Sequence, residues 1–161
     1  MMRTALWSLV SLALLAAGGC AEKPKLDDLA TNAVEADGLK VQIQLPGRQF
    51  QTGQMLRVNI TAINTTKKPI EIHSPTGAPV LVRVLRHTML AAEQVRVYPR
   101  SATANILSWT LPAGQCRNFA LRVPIEPDWP VEEVLHVTAE LNGYGKAAPG
   151  VFIVVRAPRA D

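Results

Sequence analysis

Cysteine is scarce: the chain of 161 residues holds two, Cys20 and Cys116. If Cys20 is used outside the fold, no intramolecular disulfide is left, and the body must hold itself by core burial. Aromatic residues make up only 5% of the chain, too few for the stacking platforms on which nucleic-acid binders lay bases. Past the first 38 residues the only aspartates are Asp128 and Asp161, so a Ser-His-Asp triad has little to draw on. No G-x-S-x-G nucleophile elbow and no D-x-D-x-D calcium loop occur. There is one long apolar run, which excludes a multi-span membrane protein. What is present is a globular mixture, 48% hydrophobic and 19% charged, with 12 Pro and 10 Gly. That length and composition fit one domain with many turns and few long helices.

The apolar run stands at the start. Arg3 precedes residues 5–17 (ALWSLVSLALLAA), then come small residues and Cys20. The run is close to the roughly 7–15 residues of a signal-peptide core and short of the about 20 that span a bilayer. Ala17-Gly18-Gly19-Cys20 resembles the lipobox of bacterial lipoproteins, with Ala17 standing where Leu is usual. The resemblance implies a thioether-linked diacylglycerol on Cys20, cleavage before it and acylation, such as by palmitate, of the new amine. Such anchoring exceeds the two-signal threshold for stable membrane attachment. Ala21 rather than Asp follows the Cys, which by resemblance to Gram-negative sorting favours the outer membrane. Residues 1–19 are therefore expected to be a lipoprotein signal peptide. Residues 20–38, rich in acidic groups and thin in apolar ones, are expected to be the lipidated N-terminus and a flexible tether. A short helix through Leu26, Leu29, Ala30 and Ala33 is the alternative.

From Leu39 the hydrophobic period is two. Apolar residues recur at every second position over 41–45, 56–62, 70–73, 80–85, 95–98, 118–123, 135–141 and 151–155, with 106–111 as a further strand. Pro-Gly, Asn-Gly and Asn-Thr-Thr clusters separate them. Residues 39–161 are expected to form an all-β, immunoglobulin-like antiparallel sandwich of about seven to nine strands. Only 87–94 (HTMLAAEQ) has helix-forming composition. Three stretches resemble the BsuPI-type (intracellular proteinase inhibitor-like) domain family: TGQMLRVNITAINTTKKPIEI at 52–72, LSWTLPAGQCRNFALRV at 107–123, and the strand pair at 135–141 and 150–155. The resemblance implies an immunoglobulin-like fold. Its name also implies protease inhibition, for which no inhibitory residues are identifiable.

Chemistry-bearing residues are few. Cys116 reads as a half-buried structural thiol beside a turn. Glu126/Asp128 and Glu132/Glu133 flank a Pro-rich loop, a poor place to raise a carboxyl pKa by burial. Within that loop Trp129 is the candidate contact residue for a partner, with capping of one sandwich end as the plain alternative. His73, His87 and His136 are far apart in sequence on solvent-facing positions, so no zinc cluster is expected. His87-x-Met89 resembles the H-x-M element of periplasmic copper chaperones, whose soft donors suit Cu(I). From Leu39 on, 14 Lys and Arg stand against eight Asp and Glu. Arg57, Arg83, Arg86, Arg96, Arg100, Arg117 and Arg122 make either a basic sheet face or scattered solubilising charge.

Together these readings predict a non-enzymatic, lipid-anchored envelope protein. It needs no cofactor, binds no nucleic acid, and acts as a binding or scaffolding module for a protein or glycan of the envelope. The alternatives are a periplasmic copper-binding protein using His87 and Met89, and a protease inhibitor of the BsuPI type.

Overall fold

The computed structural model describes residues 29–88 and 91–158. The expected signal segment, Cys20 and Met89 lie outside the described residues. Among the described residues there are eleven strands: β1 (Ala30–Ala36), β2 (Leu39–Leu45), β3 (Gln49–Gln51), β4 (Met55–Asn64), β5 (Ile70–Ser74), β6 (Val80–His87), β7 (Ala92–Tyr98), β8 (Leu107–Leu111), β9 (Cys116–Pro124), β10 (Val134–Leu141) and β11 (Gly150–Arg156). No helix among them is long and apolar enough to cross a membrane.

The strands form an all-β, immunoglobulin-like sandwich. One sheet has the order β1-β2-β4-β9, the other β3-β11-β10-β6-β7, and β5-β8 make a small third sheet. Neighbours are antiparallel, except that β3 runs parallel to β11. Alternation accounts for the layers. Leu39, Val41, Ile43 and Leu45 of β2 are all 0% exposed, while the polar residues between them face outward. β4, β6 and β10 repeat the pattern through Val58 and Ile60, Val82 and Val84, and Leu135 and Val137. Each such buried aliphatic side chain contributes about 1.5–3 kcal/mol of transfer free energy.

Three expectations are corrected. The tether expected over 20–38 is a strand from Ala30 onward, since β1 pairs with β2 along its whole length, from Ala30↔Leu45 to Ala36↔Leu39. Asp37 and Gly38, with φ of 50° and 76°, close this hairpin in two residues, as a type I′ turn requires. The apolar stripe is thin because only Ala30 of β1 is buried. The strand is held instead by its ladder and by Asn32, whose Nδ2 donates to the Gly150 carbonyl at 2.8 Å across to the other sheet. The helix-like composition at 87–94 gives a β6–β7 hairpin, in which the Thr88 N–H donates to the Ala91 carbonyl at 2.9 Å. The third correction is number: β1 and the short β3 add two strands to the nine read from periodicity.

Asn64, at the end of β4, joins the small sheet to the sandwich. It is 0% exposed. Its Nδ2 donates to the carbonyls of Lys68 (2.7 Å) and Leu111 (2.9 Å). Its Oδ1 accepts from the Thr66 N–H (2.9 Å) and hydroxyl (2.7 Å), and its own N–H donates to the Gln115 carbonyl (2.9 Å). A short amide side chain is what such a turn recruits. Here it also fixes where β8 and the β8–β9 turn meet β4.

Candidate functional site

The β9–β10 loop is anchored inward. Ile125 and Trp129 are 1% and 2% exposed, and the Trp129 ring lies 6.4 Å from that of Tyr98. Trp129 is therefore core, not a contact surface. Polarity of the surrounding loop suggested exposure, but burial of the large indole outweighs it. The indole N–H has no acceptor in hydrogen-bonding geometry among the described residues. The loop carboxylates act as pins. Glu126 accepts from Arg96 Nε (3.3 Å) and pairs with Arg100 (3.1 Å), and Asp128 pairs with Arg96. Glu133 takes a two-point bond from Arg86 (2.6 and 2.7 Å), and Glu132 pairs with Arg156.

These pairs also change the charge reading. Of the arginines that suggested a basic face, Arg83 is bound to Glu140 at 2.7 Å and Arg86, Arg96 and Arg100 to the loop. Arg117 lies over the Trp109 ring, 4.7 Å from its centroid. Arg57 and Arg122 are exposed, directly opposed register partners on β4 and β9 with no carboxylate in ion-pair range among the described residues. Like charges placed so are mutually destabilising.

Nucleophilic chemistry finds little support in the geometry. Cys116 is exposed rather than half-buried. His73 Nδ1 lies 2.9 Å from Ser108 Oγ, its register partner on β8. The nearest carboxylate, Glu71, is 3.8 Å from His73 Nε2, and the two side chains are 65% and 74% exposed. At that distance and exposure the imidazole is solvated rather than oriented, unlike the base of a working triad.

Two histidines do meet. His87 ends β6, and His136 lies on the neighbouring β10; His87 Nε2 and His136 Nδ1 are 3.4 Å apart. His136 stacks on Phe152 of β11, with centroids 4.4 Å apart and planes 18° apart. Burial, and secondarily the neighbouring His87, hold the His136 pKa below its ordinary 6.5. Their separation in sequence hid this contact, since only the β6–β10 register brings them together. Met89 lies outside the described residues, and no group of three or more His, Cys, Asp or Glu converges among those described.

A concavity lies elsewhere. An open cleft of about 470 Å³ runs beside β9, lined by Ala78, Pro79, Val80, Pro99, Phe119 and Leu121 among others. β9 is the last strand of its sheet. Among the described residues, no backbone hydrogen bond outside the β4 ladder reaches 117–123. The cleft thus joins apolar side chains to an unpaired row of peptide groups.

No protein-family model matches the chain, and no curated protein matches it in sequence. Solved structures match at low identity. A β-glucosidase from Listeria innocua is 12% identical with a TM-score of 0.43, over 83% of this chain and 16% of that one. The Pseudomonas fluorescens alkylpurine DNA glycosylase AlkC is 12% identical with a TM-score of 0.48, over 81% and 31%. The Bacillus subtilis sporulation control protein Spo0M is 10% identical with a TM-score of 0.44, over 81% and 50%. The chain spans about a sixth of the glucosidase's length and half of Spo0M's.

Proposed function

We propose that this protein is a non-enzymatic, lipid-anchored module of a bacterial envelope that holds an extended segment of a partner protein along the free edge of β9. The observation that carries this reading is the coincidence of an unpaired strand edge with an apolar cleft. Strand addition draws affinity from main-chain hydrogen bonds and selectivity from pockets for alternate side chains. The edge supplies the first, and the surfaces of Phe119, Leu121 and Pro99 supply the second. The occupant is a β-forming peptide with apolar residues at every second position. The lipid on Cys20 is the anchor. Ten peptide steps to Ala30 allow a reach of at most about 35 Å, so the sandwich works close to the membrane surface, with the outer membrane favoured.

The test places a photo-reactive residue at position 121 of the full chain in native envelopes, with position 42 on the opposite sheet face as control. A protein adduct at 121 but not at 42, competed by a synthetic peptide of the crosslinked segment, is the expected result. Capture of glycan alone, or equal capture at both positions, overturns the strand-addition reading. The anchor is tested separately by mass measurement of the mature N-terminus. An acylated Cys20, with release of the Cys20→Ser chain from the membrane, is expected, and an unmodified, uncleaved chain refutes it. Secreted proteases are expected to run at unchanged rates with saturating protein present; slowing of one would favour the inhibitor alternative.

A further inference from the structure

His87 and His136 stand on the outer face of the five-stranded sheet, apart from the β9 cleft and its lining residues. Their separation is informative. At 3.4 Å between His87 Nε2 and His136 Nδ1, the contact is long against the roughly 2.9–3.0 Å typical of a good N–H donor bond. It does match the edge of a tetrahedral site: with metal–nitrogen bonds of about 2.0–2.1 Å, two ligand nitrogens lie about 3.3–3.4 Å apart.

The surroundings fix which nitrogens converge. His136 lies across Gly150, where a Cβ would come within 2.1 Å of Nε2 and 2.7 Å of Cε1. Only a bare glycine admits the ring there. Phe152, the register partner of His136, stacks on it from the next strand. With Nε2 set against the β11 backbone, Nδ1 is turned toward His87. The carboxylate of Glu133 takes a two-point bond from Arg86, the residue before His87.

We propose that His87 and His136 form a two-histidine site for a borderline divalent transition-metal ion of the zinc type. The ion binds through His87 Nε2 and His136 Nδ1 and keeps its remaining positions toward solvent. Imidazole donors select such ions over Mg²⁺ and Ca²⁺. Two protein ligands give a micromolar site rather than a structural one, with water or an external donor completing the coordination.

The test is calorimetric titration of the full chain with Zn²⁺, with Mg²⁺ as control. One Zn²⁺ per chain with a micromolar dissociation constant is expected, and no response to Mg²⁺. His87→Gln and His136→Gln each weaken binding tenfold or more, and the double variant abolishes it. His73→Gln and Cys116→Ser leave it unchanged. Imidazole ¹⁵N spectra provide a readout independent of affinity: Zn²⁺ should shift Nε2 of His87 and Nδ1 of His136, with the unfolding midpoint of each metal-free variant confirming the fold. No uptake by the wild-type chain, binding that survives loss of both histidines, or shifts confined to His73 overturns the proposal.

Discussion

Replacing Asn64 by alanine tests how the small sheet is held. The side chain makes four hydrogen bonds at 2.7–2.9 Å while itself 0% exposed. Truncation strands the Leu111 carbonyl in a buried position, at a cost of about 1–3 kcal/mol. Thr66 and the Lys68 carbonyl sit nearer solvent and regain water. Their lost bonds add about 0.5–1 kcal/mol each. A total near 3 kcal/mol follows, a large share of the roughly 5–15 kcal/mol that stabilises a domain. Urea unfolding, followed by far-ultraviolet circular dichroism and by tryptophan fluorescence, measures it. Asn64→Asp sharpens the test. The carboxylate keeps the acceptor but sets a negative charge against the carbonyls of Lys68 and Leu111. It should therefore destabilise at least as much at neutral pH and recover in part on protonation in mild acid. A loss under about 1 kcal/mol for Asn64→Ala would refute the reasoning, because a buried network of this kind cannot be re-solvated at so little cost.

Trp129→Ala should cost about 3–5 kcal/mol of stability, measured by the same unfolding curves; an unchanged midpoint would return Trp129 to the surface. Arg57→Glu replaces an opposed like-charge pair by an opposite-charge one and should stabilise by about 0.2–1 kcal/mol, more at low salt than at high; a lowered melting temperature would refute it. His136 has a folded-state pKa below its ordinary 6.5, so between the two values the unfolded chain binds more protons and stability is lost as pH falls. Wild type should therefore lose stability as pH falls from about 6.5 through the folded pKa, and His136→Gln should flatten that part of the profile; an identical acid slope in the variant would exclude His136 as its source.

How much of this was legible can be traced residue by residue. The strands of the body follow from alternation, and each of β2, β4, β6 and β10 buries the set its period selects. β1 escaped because its ladder is made by backbone rather than by apolar side chains, yet Asp37-Gly38 is a hairpin signal in plain sight. Trp129 escaped because its Pro-rich, acidic neighbourhood reads as loop, and nothing local reveals that a loop folds back over a core. The basic face dissolved because Arg86, Arg96 and Arg100 find carboxylates about 26–47 positions away through contacts that no periodicity encodes.

The sequence by itself determined which side chains point inward and which outward, because the pleat reverses every residue whatever the neighbouring strand. It also determined the turns, through residues that tolerate the required backbone angles. Only the tertiary structure decided which outward residues meet: the histidine pair, the opposed Arg57 and Arg122, and the free edge of β9 beside its cleft. Those contacts depend on strand order and register, which arise from burying all the inward faces together and are written in no single segment.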